Sequence, residues 1–335
     1  MLLWLQLLLC LVLIGTAGFH LSRFADAIAE KSGLTASWVG LTLLATVTSL
    51  PELATGLSSV TAAAAPDIAV GDLLGSCVFN LLLLVALDFL YRRGSFYTRA
   101  RQGHIVSAGF GTVLLGFAGF NLVIYQGAMG PRIGHVGLYA PLLILLYLLA
   151  ARALFRYERE QVTRQLDTEP TYPNLTLARA AAGFAAAAVV VVLTGIWLPF
   201  LGVEIAMRMG WSESFVGTLL VAAVTSAPEV AVTIAALRLG ALDLAIANVL
   251  GSNLLNVALL GVDDFFYAQG PLLERIAPAH AASAFSAMMM SGMVTVGLTL
   301  RPKSRVLRTV SWISLFLMAV YLLNTLFPYL YLHGS

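Results

Sequence analysis

Two short stretches carry a proline and a carboxylate inside apolar sequence: TSLPELATG at residues 48–56 and TSAPEVAVT at residues 225–233. Each sets two hydroxyls, Thr48 and Ser49 or Thr225 and Ser226, four and three residues before a glutamate, Glu52 or Glu229. In a helix that spacing brings hydroxyl and carboxylate to one face. Pro51 and Pro228 have no N–H, so the helical bonds to the carbonyls of Val47 and Val224 are lost. Farther on, Asp72 and Ser76 share a face, as do Asn248 and Ser252, and Gly75 and Gly251 allow neighbouring helices to approach closely. Carboxylates, hydroxyls, a carboxamide and freed carbonyls form an all-oxygen ligand set. Such a set suits hard cations, Ca²⁺ or Na⁺. It disfavours Zn²⁺ and Cu⁺, which prefer His and Cys.

The segments that must hold these groups are membrane spans. Of 335 residues 59% are hydrophobic and 11% charged, with a mean hydropathy of +0.89. A soluble domain carries about 25% charged residues. Apolar runs of about 20 residues recur along the whole chain, which predicts a polytopic, all-α membrane protein. Ten spans are expected, near 2–19, 36–63, 67–90, 103–125, 134–154, 177–201, 214–237, 242–267, 278–300 and 307–330. The first, MLLWLQLLLCLVLIG, lacks the basic start of a signal peptide and reads as a span. Cys10 and Cys77 both lie in apolar sequence and build neither a disulfide framework nor a thiolate metal site. Net charge is +2, the basic residues sit in short loops, and nucleic acid is not an expected partner; the lipid bilayer is.

At membrane depth a freed carbonyl is tolerated only where it lines a wet or ion-filled cavity. Residues 39–80 contain no Lys or Arg, and residues 216–256 contain only Arg238. Glu52, Asp72 and Glu229 therefore lack a basic partner in the motifs, and each buried charge costs roughly 2.5–3.5 kcal/mol. These groups must meet cations or take up protons.

A polar connector, RYEREQVTRQLDTEPTYPN, starts at residue 156 and divides the spans five and five. The loops after spans 1, 3, 5, 7 and 9 hold 16 of the 19 Lys and Arg residues; only Arg132, Arg208 and Arg275 lie on the other side. The positive-inside rule then places the connector in the cytoplasm of a cell-membrane protein, with both termini outside. Each half has an odd number of spans, so the halves are inverted relative to each other. Their sequences nevertheless match: over 39–60 against 216–237, ten of 22 positions are identical, Thr-Ser-x-Pro-Glu among them. After a one-residue slip DIAVGDLLGSCVFN (67–80) aligns with DLAIANVLGSNLLN (243–256). The expected organisation is a first five-helix repeat at 1–155 with its motif at 39–80, a connector at 156–175, and a second, inverted repeat at 176–335 with its motif at 216–256.

At these residues the chain resembles the cation/Ca²⁺ exchanger superfamily, in particular prokaryotic sodium/calcium exchangers. The shared pattern is Gly-Thr-Ser-x-Pro-Glu followed by Gly-Asn/Asp-x-x-Gly-Ser-Asn-x-x-Asn, read here as TSLPE with GDLLGSCVFN and TSAPE with ANVLGSNLLN. The resemblance implies ten helices, alternating access, and a central site between the second, third, seventh and eighth, with spans one and six sliding against the rest. It implies Glu52 and Glu229 as shared Ca²⁺ ligands, Thr48 and Thr225 as ligands through carbonyl and hydroxyl, and Asp72 and Asn248 as the flanking pair. Ser49, Ser226, Ser76 and Ser252 complete the candidate set. The chain departs from the pattern at Val47 and Val224 in place of Gly, at Cys77 in place of Asn and at Ala247 in place of Gly. Ile68 and Leu244 stand where some Na⁺-using members carry a hydroxyl.

The expected function is a secondary antiporter, not an enzyme, exchanging Ca²⁺ for Na⁺ and needing no cofactor. The alternative is the same machine driven by protons. An intramembrane hydrolase is the weaker reading. A lipid-pyrophosphate phosphatase needs a basic clamp that the motifs lack, and a two-Asp protease finds Asn248 in place of its second Asp. A passive channel fits less well, because paired carboxylates favour tight binding over rapid passage. Asp88 and Asp264, which match across the repeats in DFLY and DFFY, are expected to be structural. The five His residues show no ligand spacing, and Met288–Met290 reads as packing or lipid-facing surface.

Overall fold

A computed structural model describes residues 1–31, 44–91, 94–127, 130–161, 172, 175–303, 306 and 310–333. The start of the second predicted span (36–43), most of the connector (162–171 and 173–174) and residues 307–309 of the last span lie outside the described residues. The helices are α1 Leu2–Lys31, α2 Leu44–Thr48, α3 Leu50–Thr61, α4 Pro66–Leu90, α5 Gly103–Gly127, α6 Tyr139–Gln161 and α7 Leu177–Met209. They continue as α8 Glu213–Thr225, α9 Ala227–Arg238, α10 Leu242–Phe266, α11 His280–Leu300 and α12 Trp312–His333. Among the described residues seven helices are long and apolar enough to cross a membrane, and α8 with α9 makes an eighth if taken as one span bent by 44°. The other two predicted spans fall on α2 with α3 and on α12, whose apolar part is the shorter Trp312–Leu326.

Several boundaries differ from expectation for local reasons. α1 continues past residue 19 to Lys31, because FHLSRFADAIAEK holds no breaker and buries Leu21 and Ala25. α7 runs on to Met209 and stops only at Gly210, whose φ of +67° is a left-handed cap that glycine adopts without strain. α6 extends six residues into the predicted connector, through RYEREQ, where Arg, Glu and Gln are good helix formers. The fifth predicted span begins instead as a hairpin, Arg132–Ile133 with Val136–Gly137, turning at Gly134 (φ +64°), and its helix starts at Tyr139.

α10 and α4 form the centre: 83% of the most apolar window of α10 is buried against 28% for α1. Around them pack α5 with α11 and α6 with α10, while α1 and α7 lie along each other at one side. Both lateral helices touch a motif through a glycine. A Cβ on Gly18 of α1 would stand 2.3 Å from Pro228 Cγ, and one on Gly195 of α7 would stand 2.8 Å from Ala54 Cβ and 3.2 Å from the Pro51 carbonyl oxygen. The offset that pairs Thr48 with Thr225 also pairs Gly18 with Gly195. Gly75 acts as predicted, its Cα facing the Thr218 carbonyl with no room for a side chain.

Candidate ion-binding site

Both motifs break their helices at the same residue. α2 ends at Thr48 and α3 begins at Leu50, with Ser49 between them at φ −87°, ψ 12°. α8 ends at Thr225, and Ser226 stands at φ −78°, ψ 6° before α9. These are bridge-region dihedrals, sparsely populated and common at functional sites. The proline one or two places inside the next helix explains why the break falls there: it supplies no N–H, and that position is where a helix needs none.

All ten candidate side chains, those of Thr48, Ser49, Glu52, Asp72, Ser76, Thr225, Ser226, Glu229, Asn248 and Ser252, are buried. Nine of them form two hydrogen-bonded clusters, one of Thr225, Ser226, Asp72 and Ser76 and one of Thr48, Ser49, Glu229, Asn248 and Ser252, and in each cluster the two halves of the chain meet. Thr225 Oγ1 donates to Asp72 Oδ1 at 2.7 Å, and the paired Thr48 Oγ1 to Asn248 Oδ1 at 3.3 Å. Ser226 Oγ donates to Ser76 Oγ at 3.0 Å, while Thr48 and Ser252 hydroxyls stand 3.2 Å apart. Ser49 Oγ donates to Glu229 Oε1 at 3.5 Å, and Ser76 Oγ to Asp72 Oδ1 at 3.5 Å. Asn248 Nδ2 donates to the Glu229 carbonyl at 3.5 Å and to Thr233 Oγ1 at 3.4 Å.

The carboxylates are left with spare oxygens. Both Glu52 oxygens, Asp72 Oδ2 and Glu229 Oε2 have no hydrogen-bond partner among the described residues. Ser76 stands beside Glu52, and Thr48 and Ser252 beside Glu229, outside strict hydrogen-bond geometry. Glu52 is in electrostatic range of Glu229 and Asp72, and no salt bridge among the described residues reaches any of the three. No three His, Cys, Asp or Glu side chains among the described residues converge tightly enough to hold a metal alone. An ion bound here therefore draws on hydroxyl, carboxamide and carbonyl oxygens as well, the mixed set that Ca²⁺ and Na⁺ accept.

Some residues were not singled out from sequence. Asn80 and Asn256, one turn beyond Ser76 and Ser252, are buried with carboxamides unpartnered among the described residues. Their i+4 spacing from the serines was a usable signal. Asp263 is likewise buried with both oxygens unpartnered among the described residues, and nothing in the repeat alignment marks it, since it pairs with Leu87. Two histidines have defined roles. His280 Nε2 lies 2.9 Å from Asp67 Oδ1, and the paired His104 Nε2 lies 3.0 Å from Asp243 Oδ1. Asp88 and Asp264 are structural as expected. Asp88 accepts from Ser311 N and Ser314 Oγ, and Asp264 from Gly137 N, Leu272 N and the Tyr139 hydroxyl. Cys10 and Cys77 are buried and free.

The fold and site define a helical membrane protein with a buried, all-oxygen, carboxylate-rich centre at two broken helices. Comparison with known proteins agrees: residues 2–155 and 179–328 match the sodium/calcium exchanger protein family, and the chain belongs to it. Similar curated proteins include the inner membrane protein YrbG of Escherichia coli K12, 29% identical over 256 residues and 76% of each chain. The sodium/calcium exchanger MaX1 of Methanosarcina acetivorans is 28% identical over 79% of this chain and 83% of its own. Among solved structures, native YfkE superimposes with a TM-score of 0.64 at 22% identity, covering 97% of this chain and 92% of that one. The sodium-calcium exchanger NCX_Mj gives a TM-score of 0.61 at 21% identity, covering 96% and 97%. At those identities the structures establish the shared fold.

Proposed function

We propose that this protein is a secondary-active cation antiporter that exchanges Ca²⁺ for Na⁺ by alternating access at the site built from Glu52, Asp72, Glu229, Asn248, Thr48, Thr225, Ser49, Ser226, Ser76 and Ser252. One observation carries the reading: three buried carboxylates with unsatisfied oxygens and no basic partner among the described residues. Ionised, they carry three negative charges, of which one Ca²⁺ neutralises two. Several Na⁺ ions can neutralise all three, so exchange between the two kinds of ion keeps the buried site close to neutral. The named exchanger MaX1 and membership of the family support the same reading.

The architecture proposed with it is ten spans in two inverted five-helix repeats, 1–155 and 176–335, joined by a cytoplasmic connector at 156–175. Both termini lie outside the cell membrane. The paired breaks at Ser49 and Ser226 and the paired glycines Gly18 and Gly195 support it. So does the concentration of Lys and Arg in alternate loops. The helices α1 and α7, which meet the motifs through glycines, are the elements proposed to slide.

A proton-driven version is favoured by one observation. Ile68 is fully buried, and it and its counterpart Leu244 are apolar, so neither adds a Na⁺ ligand. Uptake of ⁴⁵Ca²⁺ into proteoliposomes under an imposed Na⁺ or pH gradient decides. The expected result is Ca²⁺ flux driven by Na⁺; flux driven by a pH gradient and not by Na⁺ replaces this coupling with the proton version.

A further inference from the structure

Asp263, near the end of α10, is a buried carboxylate that the central site does not use. It is 0% exposed, both of its oxygens lack a hydrogen-bond partner among the described residues, and no salt bridge among those residues involves it. The contrast with the next residue is sharp. Asp264 accepts from two backbone N–H groups and a tyrosine hydroxyl, and the repeat alignment pairs it with Asp88. Asp263 pairs with Leu87, which is buried at 1% exposure. The scaffold of one half thus takes a leucine where the other carries an acid, so packing does not require a carboxylate there.

Its surroundings point back to the ion site. The carboxylate faces Gly56 of α3: a Cβ on that glycine would lie 2.4 Å from Asp263 Oδ2 and 2.7 Å from Oδ1. Gly56 is one turn beyond Glu52 on the same helix face, ~6 Å along the axis. The Thr55 hydroxyl beside it is buried and unpartnered among the described residues. On α10 itself Ser252, Asn256 and Asp263 follow one stripe, spaced by four and seven residues. Polar groups therefore mark a track between α3 and α10 from the central carboxylates to Asp263, interrupted on α10 by Leu259 and Leu260.

Every charge that bears on Asp263 is acidic. From α4 Asp72 acts on it, and from α10 Asp264 does; no basic group does so among the described residues. α3 brings Glu52 one turn from Gly56, and α6 brings Tyr139, whose hydroxyl is committed to Asp264. An ionised carboxylate held out of water beside like charges persists only with a cation on it. A metal ion needs about six oxygens, whereas a proton needs one.

We propose that Asp263 is a second cation-binding group of this protein, a proton carrier set about one helical turn from the central carboxylates along the α3–α10 track. Its step is a simple ionisation: the carboxyl O–H breaks heterolytically, the carboxylate keeps the electron pair, and the proton passes to water. In the proposed orientation α10 ends at the outer side, so that water is external. Once ionised, Asp263 repels Asp72 and holds a departing cation on the track, which slows exchange as pH rises. Its link to transport rests on the antiporter reading; its protonation does not.

Two measurements on the full-length protein test it. In infrared spectra of the purified protein at neutral pH, the wild type should show a protonated-carboxyl band that is lost in both Asp263→Asn and Asp263→Leu. The leucine variant copies the residue at the paired position and is expected to fold. Spectra unchanged in both variants overturn the proposal, because Asp263 is then ionised in the wild type. In proteoliposomes, wild-type ⁴⁵Ca²⁺ exchange should fall toward alkaline pH, and that fall should be absent in Asp263→Asn and present in Asp88→Asn. Superimposable profiles for wild type and Asp263→Asn overturn the transport role, as does an effect that follows Na⁺ concentration at constant pH. Absence of any wild-type Ca²⁺ exchange defeats the antiporter reading instead and leaves the infrared result to decide Asp263.

Discussion

The two motif regions of the chain break their helices alike and carry different chemistry. At the ends of the central helices their polar contacts are equivalent. Asp67 takes the Ala277 N–H and His280, and the paired Asp243 takes the Arg101 N–H and His104. At the crossing of α4 and α10, Asn253 donates to the Cys77 carbonyl at 3.0 Å, and Cys77 Sγ lies 3.8 Å from the Asn253 carbonyl. The halves diverge where charge matters. Asp72 keeps one oxygen unpartnered among the described residues, while its counterpart Asn248 commits its N–H groups to the Glu229 carbonyl and Thr233. Leu87 and Asp263 differ in the same way. Asn248 and Leu87 thus spare the interior two further buried charges, each of which would be costly without a partner.

The largest expected effect removes what the halves share. Glu52→Gln and Glu229→Gln should each lower Ca²⁺ exchange at least about 100-fold, ~2.8 kcal/mol at 1.4 kcal/mol per decade, with the fold intact. Gln keeps the shape and one carbonyl but not the charge. Proteoliposome ⁴⁵Ca²⁺ flux is the assay, and near wild-type flux in either variant would show that the glutamates do not share one ion.

Next come the glycines on which the lateral helices meet the motifs. Gly18→Ala and Gly195→Ala should both slow exchange, the first more, because its Cβ would meet Pro228 Cγ at 2.3 Å rather than Ala54 Cβ at 2.8 Å. Overpacking of this kind costs about 1–3 kcal/mol. Exchange rates and thermal melts of the detergent-purified variants give the ranking; a harmless Gly18→Ala would break the symmetry between α1 and α7.

Asp72→Asn makes the first half chemically like the second. It should retain Ca²⁺ binding and lower the apparent Na⁺ affinity or cooperativity of exchange. A variant with unchanged Na⁺ dependence would remove Asp72 from the coupling site.

A smaller difference is expected from the two threonines. The Thr225 hydroxyl lies 2.7 Å from a carboxylate, a bond of about 1.5–3 kcal/mol if charged, and Thr48 lies 3.3 Å from an amide, a bond of about 0.5–1.5 kcal/mol. Thr225→Val should therefore impair exchange more than Thr48→Val, read as Ca²⁺ half-saturation. Smallest of all is Asp88→Asn, which keeps an acceptor for Ser311 and Ser314 and should leave exchange within about twofold of wild type.

Much of this was legible in the residues. The all-helical membrane class follows from apolar run length, because a bilayer imposes one length scale on every crossing segment. The ten candidate ligands follow from Thr-Ser-x-Pro-Glu and its companion recurring in register, since a proline and an acid are each costly in an apolar helix and their repetition demands a cause. Helix ends were less legible. α1 outruns its apolar run because polar helix formers continue a helix in water, and α7 runs on through GVEIAMRM because no breaker stands before Gly210.

Sequence alone determined that oxygen-bearing side chains without basic partners in the motifs sit at two proline-broken helices. Only the tertiary structure decided which groups meet. It paired Thr225 with Asp72 and Thr48 with Asn248, set Gly18 on Pro228, and turned His104 and His280 from unassigned residues into partners of Asp243 and Asp67. It also brought Asp263 against Gly56, residues more than two hundred positions apart with no repeat signal between them. Periodicity encodes which face of a helix a residue occupies; which other helix that face meets is set by packing between distant segments, and no local pattern records it.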